Sequence, residues 1–502
     1  MTAHDRLVGV VGTGTMGQGI AQVALVAGHP VRLYDAAPGR ARQAADAIAA
    51  RLARLVEKGR MSAQERESAV ARLEPAQSLH ELAPAALVVE AVLERLDAKQ
   101  ELLRELEDIV ADDCLLATNT SSLSVTAIGG ALRVPGRFVG LHFFNPAPLM
   151  PLVEVVSGYA TDVTAATRAY ETARAWGKTP VACADTPGFL VNRIARPFYA
   201  EAFAVYEEQG ADPATVDAVL RESGGFKMGA FELTDLIGQD VNEAVTRSVW
   251  EGFFQDVKFR PSLAQRRLVE AGRLGRKSGQ GWYAYGEGEE RPEPHTAAPA
   301  EPPARVTVEG DLDNASELIA MMREAGIAVD QEDEDKGTRI VLPSGGQLVQ
   351  ADGQTSIEFR DVVYFDLALD YRSATRIALA ACQDGNPRTL GEAVGLFQAL
   401  GKKVSVIGDV PGMIVARTVA RIIDLAHDAL TRGVATEEDI DTAMRLGVNY
   451  PLGPFEWSRK LGRNWACGLL EELHDRDPSG RCAPSFALLR HSYDPKKWEG
   501  SA

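Results

Sequence analysis

His142 and Glu154 stand twelve residues apart, with Pro146 and Pro151 between them. His142 closes the apolar run Phe138-Val-Gly-Leu-His142, and Glu154 lies in Leu152-Val-Glu154-Val-Val, so a turn over the prolines sets two strands side by side. An imidazole takes and returns a proton near neutral pH, and a carboxylate on its second nitrogen fixes the tautomer and steadies the charged ring. Taken singly, a strand-end histidine reads more simply as a satisfied structural residue, and Glu154 as an exposed strand position. Their company tilts them toward chemistry. Ser121 would complete a hydrolase triad, but it lies in Asn119-Thr-Ser121-Ser122-Leu-Ser without a GxSxG elbow. The same chain also carries a site for a hydride acceptor. The Asn119-Thr-Ser121 glycosylation pattern is a false lead in a chain read as staying out of the secretory path.

The acceptor site is Leu7-Val-Gly-Val-Val followed at once by Gly12-Thr13-Gly14-Thr15-Met16-Gly17. The apolar run reads as a strand buried on both faces, and IAQVALVAG as a helix ending at Gly28. Gly12 permits the turn out of the strand, Gly14 lets a pyrophosphate approach the backbone, and Gly17 lets the helix pack on the sheet. Free N–H groups at the helix start then face the phosphates. A bare GxGxxG is weak evidence. Here Val31, Leu33 and Tyr34 form a second strand that ends in Asp35, 23 residues after Gly12. A carboxylate there accepts the ribose hydroxyls of NAD and repels the 2′-phosphate of NADP; the simpler reading is a helix cap. The pattern indicates a nicotinamide or flavin dinucleotide, with NAD favoured.

The chain that must position these groups has 502 residues, a length suited to roughly three domains. Hydrophobic content of 45% and charged content of 25% are those of a soluble globular protein. No apolar run approaches the ~20 residues that span a bilayer. MTAHDRLVGVVG lacks the basic start and cleavage site of a secretory signal. Cys114, Cys183, Cys382, Cys467 and Cys482 are odd in number and scattered, which reads as reduced cytoplasmic thiols, with neither a disulfide framework nor a metal site. A net charge of −17 speaks against nucleic acid and acidic membranes as partners, but not against a small anionic ligand.

After Asp35 helical patterns run over about residues 39–58 and 62–73, carrying Arg51, Arg54, Lys58 and Arg60. These read either as a solvated face or as a patch for an anionic tail. Ala86-Leu-Val-Val-Glu90-Ala-Val, Cys114-Leu-Leu-Ala-Thr and Phe138-Val-Gly-Leu-His142 add strands between helices, which predicts a doubly wound parallel sheet with ligands beyond the strand C-termini. Helical patterns dominate from Thr186 to about Gly281, and residues 286–304 are Pro- and Glu-rich, hence a linker.

Beyond the linker the chain partly repeats itself. GKTPVACADTPGFLVNRI at Gly177 answers GKKVSVIGDVPGMIVART at Gly401, and GAFE at Gly229 answers GPFE at Gly453, both 224 residues apart. That offset sets Phe138–His142 against Val362–Asp366. The expected layout is a Rossmann-like domain (1–186), a helical domain (187–285), the linker (286–304), a shortened Rossmann-like unit without the glycine motif (305–410) and a second helical domain (411–502, to about Trp498). The fold class is thus α/β then all-α, duplicated. Asp366, Ala378, Gly345 and Ala416 stand where the first copy has His142, Glu154, Ser121 and Asn192, while Gly401, Lys402, Pro411, Gly412, Val415 and Arg417 keep their counterparts' identity. That pattern fits an active unit with a structural partner.

At these residues the chain resembles the L-3-hydroxyacyl-CoA dehydrogenase family. VGTGTMGQGIAQVALVAGH, VVEAVLE, NTSSLSV, GLHFFNPAPLMPLVEVV, DTPGFLVNR and GRKSGQGWY follow its motifs in order and spacing over about residues 5–285, and the helical half is echoed to about 465. The duplicated layout with MRLGVNYPLGPFEW is similar to the family's long bacterial members, those of phenylacetate catabolism that act on 3-hydroxyadipyl-CoA or 3-hydroxybutyryl-CoA. The resemblance implies NAD-dependent oxidation of a (S)-3-hydroxyacyl-CoA to the 3-oxoacyl-CoA, in fatty acid or phenylacetate breakdown. His142 would be the general base, oriented by Glu154, and Ser121 and Asn192 would bond the reacting oxygen. Glu94, Lys99 and Asn145 match positions near the nicotinamide, its ribose and the thioester; Lys58, with Lys99 and Ser121, would meet the acyl-CoA. In the family, helical domains pair between subunits; here the second helical domain would supply that pairing within one chain, a homodimer remaining open. Competing readings are an NADPH-linked 3-oxoacyl-CoA reductase, against which Asp35 speaks, and a non-catalytic cofactor-binding homologue, against which the His142–Glu154 pair speaks. A fused hydratase is not expected, since no crotonase-like segment precedes Leu7.

Overall fold

A computed structural model describes residues 6–332 and 337–493 of the chain. The expected end of the second helical domain, with Trp498, lies outside the described residues, as do residues 1–5 and 333–336. The described residues group into two compact units, one running to Arg193 together with Arg432–Val448, the other comprising Ile194–Thr431 and the chain from Asn449.

In the first unit eight strands form one sheet: β1 (Val8–Val11), β2 (Val31–Tyr34), β3 (Leu73–Pro75), β4 (Leu87–Glu90), β5 (Leu115–Thr118), β6 (Phe138–Phe143), β7 (Leu152–Ser157) and β8 (Thr179–Ala184). Their order is β3-β2-β1-β4-β5-β6-β7-β8. β1, β4, β5 and β6 are buried along their whole length, as their unbroken apolar runs require between layers of helix. Neighbours are parallel except β6 and β7, which form an antiparallel pair with His142 opposite Glu154. The short connection through Pro146 and Pro151 allows only that direction. The helix Thr15–Val26 crosses from β1 to β2 and buries Ile20 and Leu25 against Val10 and Leu33. The long arm is a helix, Arg40–Glu57, that buries Ala41, Ala44, Ala45, Ile48 and Leu52, one face at helical spacing. A second helix, Ala63–Ala71, starts with a capping box in which Ser62 Oγ accepts the Glu65 N–H and the Ser62 N–H donates to Glu65.

Residues 432–448 join this unit although they follow the second sheet in sequence. The Ala184 N–H donates to the Val434 carbonyl at 2.8 Å, extending the order at edge strand β8. A Cβ on Gly447, in the helix Glu437–Gly447, would stand 2.7 Å from Leu152 and 3.1 Å from Val191, so this helix packs closely against the start of β7 and the segment at Val191.

The second unit holds the helices Arg196–Glu207, Pro213–Glu222, Ala230–Ile237, Gln239–Gly252 and Leu263–Glu270, then a second sheet. Its strands are β9 (Arg305–Glu309), β10 (Ala328–Glu332), β11 (Arg339–Val341), β12 (Gln347–Gln350), β13 (Val362–Phe365), β14 (Arg376–Ala381) and β15 (Lys403–Ile407), in the order β10-β9-β11-β12-β13-β14-β15. Here β11 runs antiparallel to both neighbours, and β13 antiparallel to β14. β9 still turns at a positive-φ glycine, Gly310, but Asp311 and Asp313 follow it, acids where phosphates would need donors. The segment expected as a linker is docked: the Ala297 N–H donates to Val404 O at 2.7 Å, Ser405 Oγ to His295 O at 2.7 Å, and Gln398 binds Ala298 and Ala300.

The helix Val415–Thr431 lies against Arg196–Glu207. Between them Glu201, 1% exposed, meets Arg417 at 2.9 Å, Arg481 at 2.8 Å and Arg421 at 3.5 Å. Lys258 pairs with the buried Asp424 at 2.7 Å.

Candidate active site

The antiparallel register brings the His142 and Glu154 side chains onto one face of the sheet. His142 Nδ1 and Glu154 Oε2 are 2.6 Å apart, and both residues are buried, at 5% and 0% exposed. Glu154 is itself held: its Oε1 accepts the N–H groups of Leu190 at 3.1 Å and Val191 at 2.8 Å, at the start of the short helix Val191–Ile194. Phe144 and Phe189 flank the imidazole with centroids at 4.6 and 5.8 Å. With Nδ1 engaged and the ring clamped, Nε2 is the nitrogen that can exchange a proton. Asn192, half-buried, is the second residue of the helix whose first N–H groups hold Glu154.

Ser121 follows β5. Its N–H donates to Glu94 Oε1 at 2.9 Å, and the same oxygen accepts from Thr120 Oγ1 at 2.7 Å, Ser122 N at 3.1 Å and Ser122 Oγ at 3.0 Å. Burial pushes the Glu94 carboxyl up, but the Lys99 ammonium and these donors outweigh it and hold the group below the usual carboxylate range. Asn119, noted in the sequence only as the start of a glycosylation pattern, joins the two strand ends, its Oδ1 accepting the Phe143 N–H at 2.9 Å.

The glycine motif has the form that a dinucleotide needs. Gly12 turns at φ +94°, where a Cβ would lie 2.5 Å from Ala91 O, and a Cβ on Gly17 would lie 1.9 Å from Gly12 O. Gly14 is exposed and a Cβ there would meet nothing, so the backbone stands open on that side. The helix begins at Thr15 with no side-chain cap and no acid in its first turn, leaving its N–H groups to an anion. Thr13 is buried; Thr15 is exposed and Met16 half-buried. Asp35, at the end of β2, accepts from Thr13 N at 3.0 Å and Thr13 Oγ1 at 2.6 Å, and from Ala37 N at 3.0 Å. Burial pushes its carboxyl up, yet the Thr13 and Ala37 bonds and Arg40 outweigh that and hold it below its usual range, ready to accept further donors. A Cβ on Gly19 would stand 3.1 Å from Ala147, so the same helix passes close to the turn that follows His142.

The remaining expected residues divide. Asn145 is exposed on that turn, and Lys58 is exposed at the C-terminal end of the arm helix. Lys99, expected to meet cofactor and acyl-CoA, is 1% exposed, its ammonium 3.0 Å from both oxygens of Glu90, where the helix Leu96–Ile109 sets it beneath β4. Arg51 reaches from the arm to Gln18 at 3.0 Å and Gln22 at 3.1 Å on the glycine-motif helix. Glu90 was missed as a candidate; its signal was a lone charge closing an otherwise apolar strand.

Among the described residues, no helix is long and apolar enough to cross a membrane. Residues 7–186 match the family described as 3-hydroxyacyl-CoA dehydrogenase, NAD binding domain. Residues 188–285 and 412–496 each match its C-terminal domain, and residues 344–411 match the 3-hydroxybutyryl-CoA dehydrogenase reduced Rossmann-fold domain. The chain is 44% identical to the 3-hydroxyadipyl-CoA dehydrogenase of Escherichia coli K12 over 98% of its own length and 100% of that protein's. A crystal structure of 3-hydroxybutyryl-CoA dehydrogenase from Escherichia coli K12 superposes with a TM-score of 0.89 at 42% identity, covering 99% of this chain and 100% of that one. (S)-3-hydroxybutyryl-CoA dehydrogenase from Ralstonia eutropha superposes on 56% of this chain and 100% of its own, with a TM-score of 0.55 at 37% identity.

Proposed function

The chain belongs to the 3-hydroxyacyl-CoA dehydrogenase family, and from that premise we propose that His142, Glu154, Ser121 and Asn192 form its one active site. The reaction is the NAD-dependent oxidation of a (S)-3-hydroxyacyl-CoA to the 3-oxoacyl-CoA, in fatty acid or phenylacetate-type breakdown. NAD, when bound, supplies the acceptor for the C3 hydride. His142 Nε2 takes the 3-hydroxyl proton, and Glu154, 2.6 Å from Nδ1, fixes the tautomer and stabilises the imidazolium that results. The Ser121 hydroxyl and the Asn192 amide hold the reacting oxygen in line, a positioning effect worth several kcal/mol. Gly12, Thr13, Gly14, Thr15, Met16 and Gly17 present the pyrophosphate site, Asp35 takes the adenosine ribose, Glu94 and Asn145 border the nicotinamide end, and Lys58 meets the CoA tail. The observation that carries this reading is the buried imidazole–carboxylate pair in the same sheet as an open, uncapped glycine-motif helix.

The division proposed from the sequence is 1–186, 187–285, 305–410 and 411–502, with 286–304 between the second and third parts. The contacts of Glu201 with Arg417 and Arg481 support pairing of the two helical regions inside one chain, in place of pairing between subunits. The enzyme works in the cytoplasm.

Turnover of 3-hydroxybutyryl- through 3-hydroxyhexadecanoyl-CoA and of 3-hydroxyadipyl-CoA with NAD, on wild type and His142→Ala, tests the assignment. At least one substrate turns over, and the variant loses about a hundredfold or more in kcat. A His142→Ala enzyme with unimpaired kcat refutes it.

A further inference from the structure

β4 ends at Glu90, paired in register with Val11 of β1 on one side and Thr118 of β5 on the other. Its carboxylate is therefore at the C-terminal edge of the sheet's central strands, directly between the glycine turn and the Ser121 loop in sheet order. It is 0% exposed. Oε1 accepts from Lys99 Nζ at 3.0 Å and from Thr118 Oγ1, and Oε2 accepts from Lys99 Nζ at 3.0 Å and Val92 N at 3.1 Å. The ammonium of Lys99 also lies 3.3 Å from Glu94 Oε2. The other oxygen of Glu94 is the one that gathers Thr120, Ser121 and Ser122. A continuous chain of charge-assisted contacts thus runs from Glu90 through Lys99 and Glu94 to the loop that carries Ser121.

Burying an ion pair this completely adds little stability over an apolar pair of the same volume, so its presence calls for another account. Geometry supplies one. The Glu94 side chain is 36% exposed, and its orientation rests on the loop donors at Oε1 and on Lys99 at Oε2. Lys99 pulls one oxygen down and leaves the other facing the loop. We infer that Glu90 and Lys99 are positioning residues for the dehydrogenation, setting Glu94 and through it the Ser121 hydroxyl against the reacting oxygen. The inference rests on the role proposed for Ser121. Removing the ammonium would leave Glu90 and Glu94 as neighbouring carboxylates with no cation between them, and one would take a proton. A protonated Glu94 carries an O–H donor and can no longer accept the whole set of loop donors.

Full-length Lys99→Met, Glu90→Gln and the double variant test this. Backbone hydrogen exchange over residues 119–124 needs no catalysis, and in Lys99→Met it is expected to quicken about tenfold, the loss of one charged hydrogen bond. kcat falls about a hundredfold, as for other small misplacements of a reacting group. The acid limb of the kcat/KM profile moves to higher pH, and Glu90→Gln on the Lys99→Met background moves it back, a shift that a merely structural pair would not produce. A folded Lys99→Met with unchanged loop exchange, kcat and acid limb overturns the inference. If Lys99→Met does not fold, the isosteric Glu90→Gln decides: faster loop exchange and lower kcat support the inference, and wild-type values for both overturn it. Wild type inactive toward every 3-hydroxyacyl-CoA would instead remove the functional reading, and loop exchange alone would then decide whether the pair orders residues 119–124.

Discussion

Asp366 stands at the position of His142 in the second copy, but it makes the hydrogen bonds of Glu154. Its Oδ2 accepts the N–H groups of Ile414 at 3.0 Å and Val415 at 2.8 Å, the counterparts of Leu190 and Val191, and its own N–H donates to Ala378 O, where the first copy has Glu154. Both copies thus anchor the start of the following helix on a buried carboxylate. In the first copy that carboxylate comes from β7 and has an oxygen left for an imidazole. In the second it comes from the end of β13, and Oδ1 is spent on Leu367 and Ala416. The second copy keeps the structural half of the arrangement and has Asp366 and Ala378 in place of the imidazole and its carboxylate.

Glu154→Gln separates those two halves. An amide cannot accept both the Leu190 and Val191 N–H groups and the His142 Nδ1 proton without placing its NH2 against a donor. Turned the other way, it donates to Nδ1 and imposes the wrong tautomer. kcat is expected to fall about a thousandfold or more, with KM for the acyl-CoA little changed, because the substrate does not touch position 154. Steady-state kinetics check it, and a kcat within tenfold of wild type would refute the orienting role.

Cofactor choice follows from Asp35. An ionised carboxylate repels a 2′-phosphate, so wild type should favour NAD over NADP by about a hundredfold or more in kcat/KM, equivalent to ~3 kcal/mol. Asp35→Ser should narrow that ratio and also weaken NAD, since Asp35 ties down Thr13 N and Thr13 Oγ1. Parallel assays with the two cofactors measure it. Equal use of both by wild type contradicts the assignment.

Asp217 should make stability depend on pH. It is 1% exposed, accepts from Phe231 N, Glu232 N and Tyr283 OH, and burial, which outweighs those bonds, pushes its carboxyl up to about 7. An unfolded Asp releases its proton near about pH 4. Between those values the folded chain holds a proton that the unfolded chain has lost, so this contribution is full below about pH 4 and declines as pH rises toward about 7. Asp217→Asn lacks that dependence. Urea midpoints across the window should show wild type losing up to about 4 kcal/mol relative to the variant; parallel curves would refute it.

Glu201→Ala tests the packing of the helical regions in the intact chain. It leaves Arg417, Arg421 and Arg481 buried without their shared carboxylate, with Glu208 still on Arg417 and Asp424 still near Arg421. Unfolding free energy should fall by about 3–5 kcal/mol. A loss under about 1 kcal/mol, read from denaturant unfolding, would mean that the cluster does not hold the helices together. In the same vein, residues 1–285 produced alone should not be a fully active monomer, and such a monomer would end the intrachain-pairing proposal.

The local requirements of the site were legible in the amino-acid order. Gly17 is demanded by its close approach to Gly12, Gly12 by its turn as well as by the distant Ala91 carbonyl, and Asp35 by the end of the next strand, while the 224-residue echo shows on simple comparison. The His142–Glu154 pair was readable because twelve residues and two prolines allow little except a hairpin. Tertiary packing decided the rest. Glu90 meets Thr118 across 28 positions and Lys99 turns inward onto it, choices made by the neighbouring strand and helix. Residues 432–448 join the first sheet through Val434 and Gly447, although their sequence reads as part of the second copy. Periodicity reports which face of an element is buried, and which distant partner that face meets is settled only when the layers close.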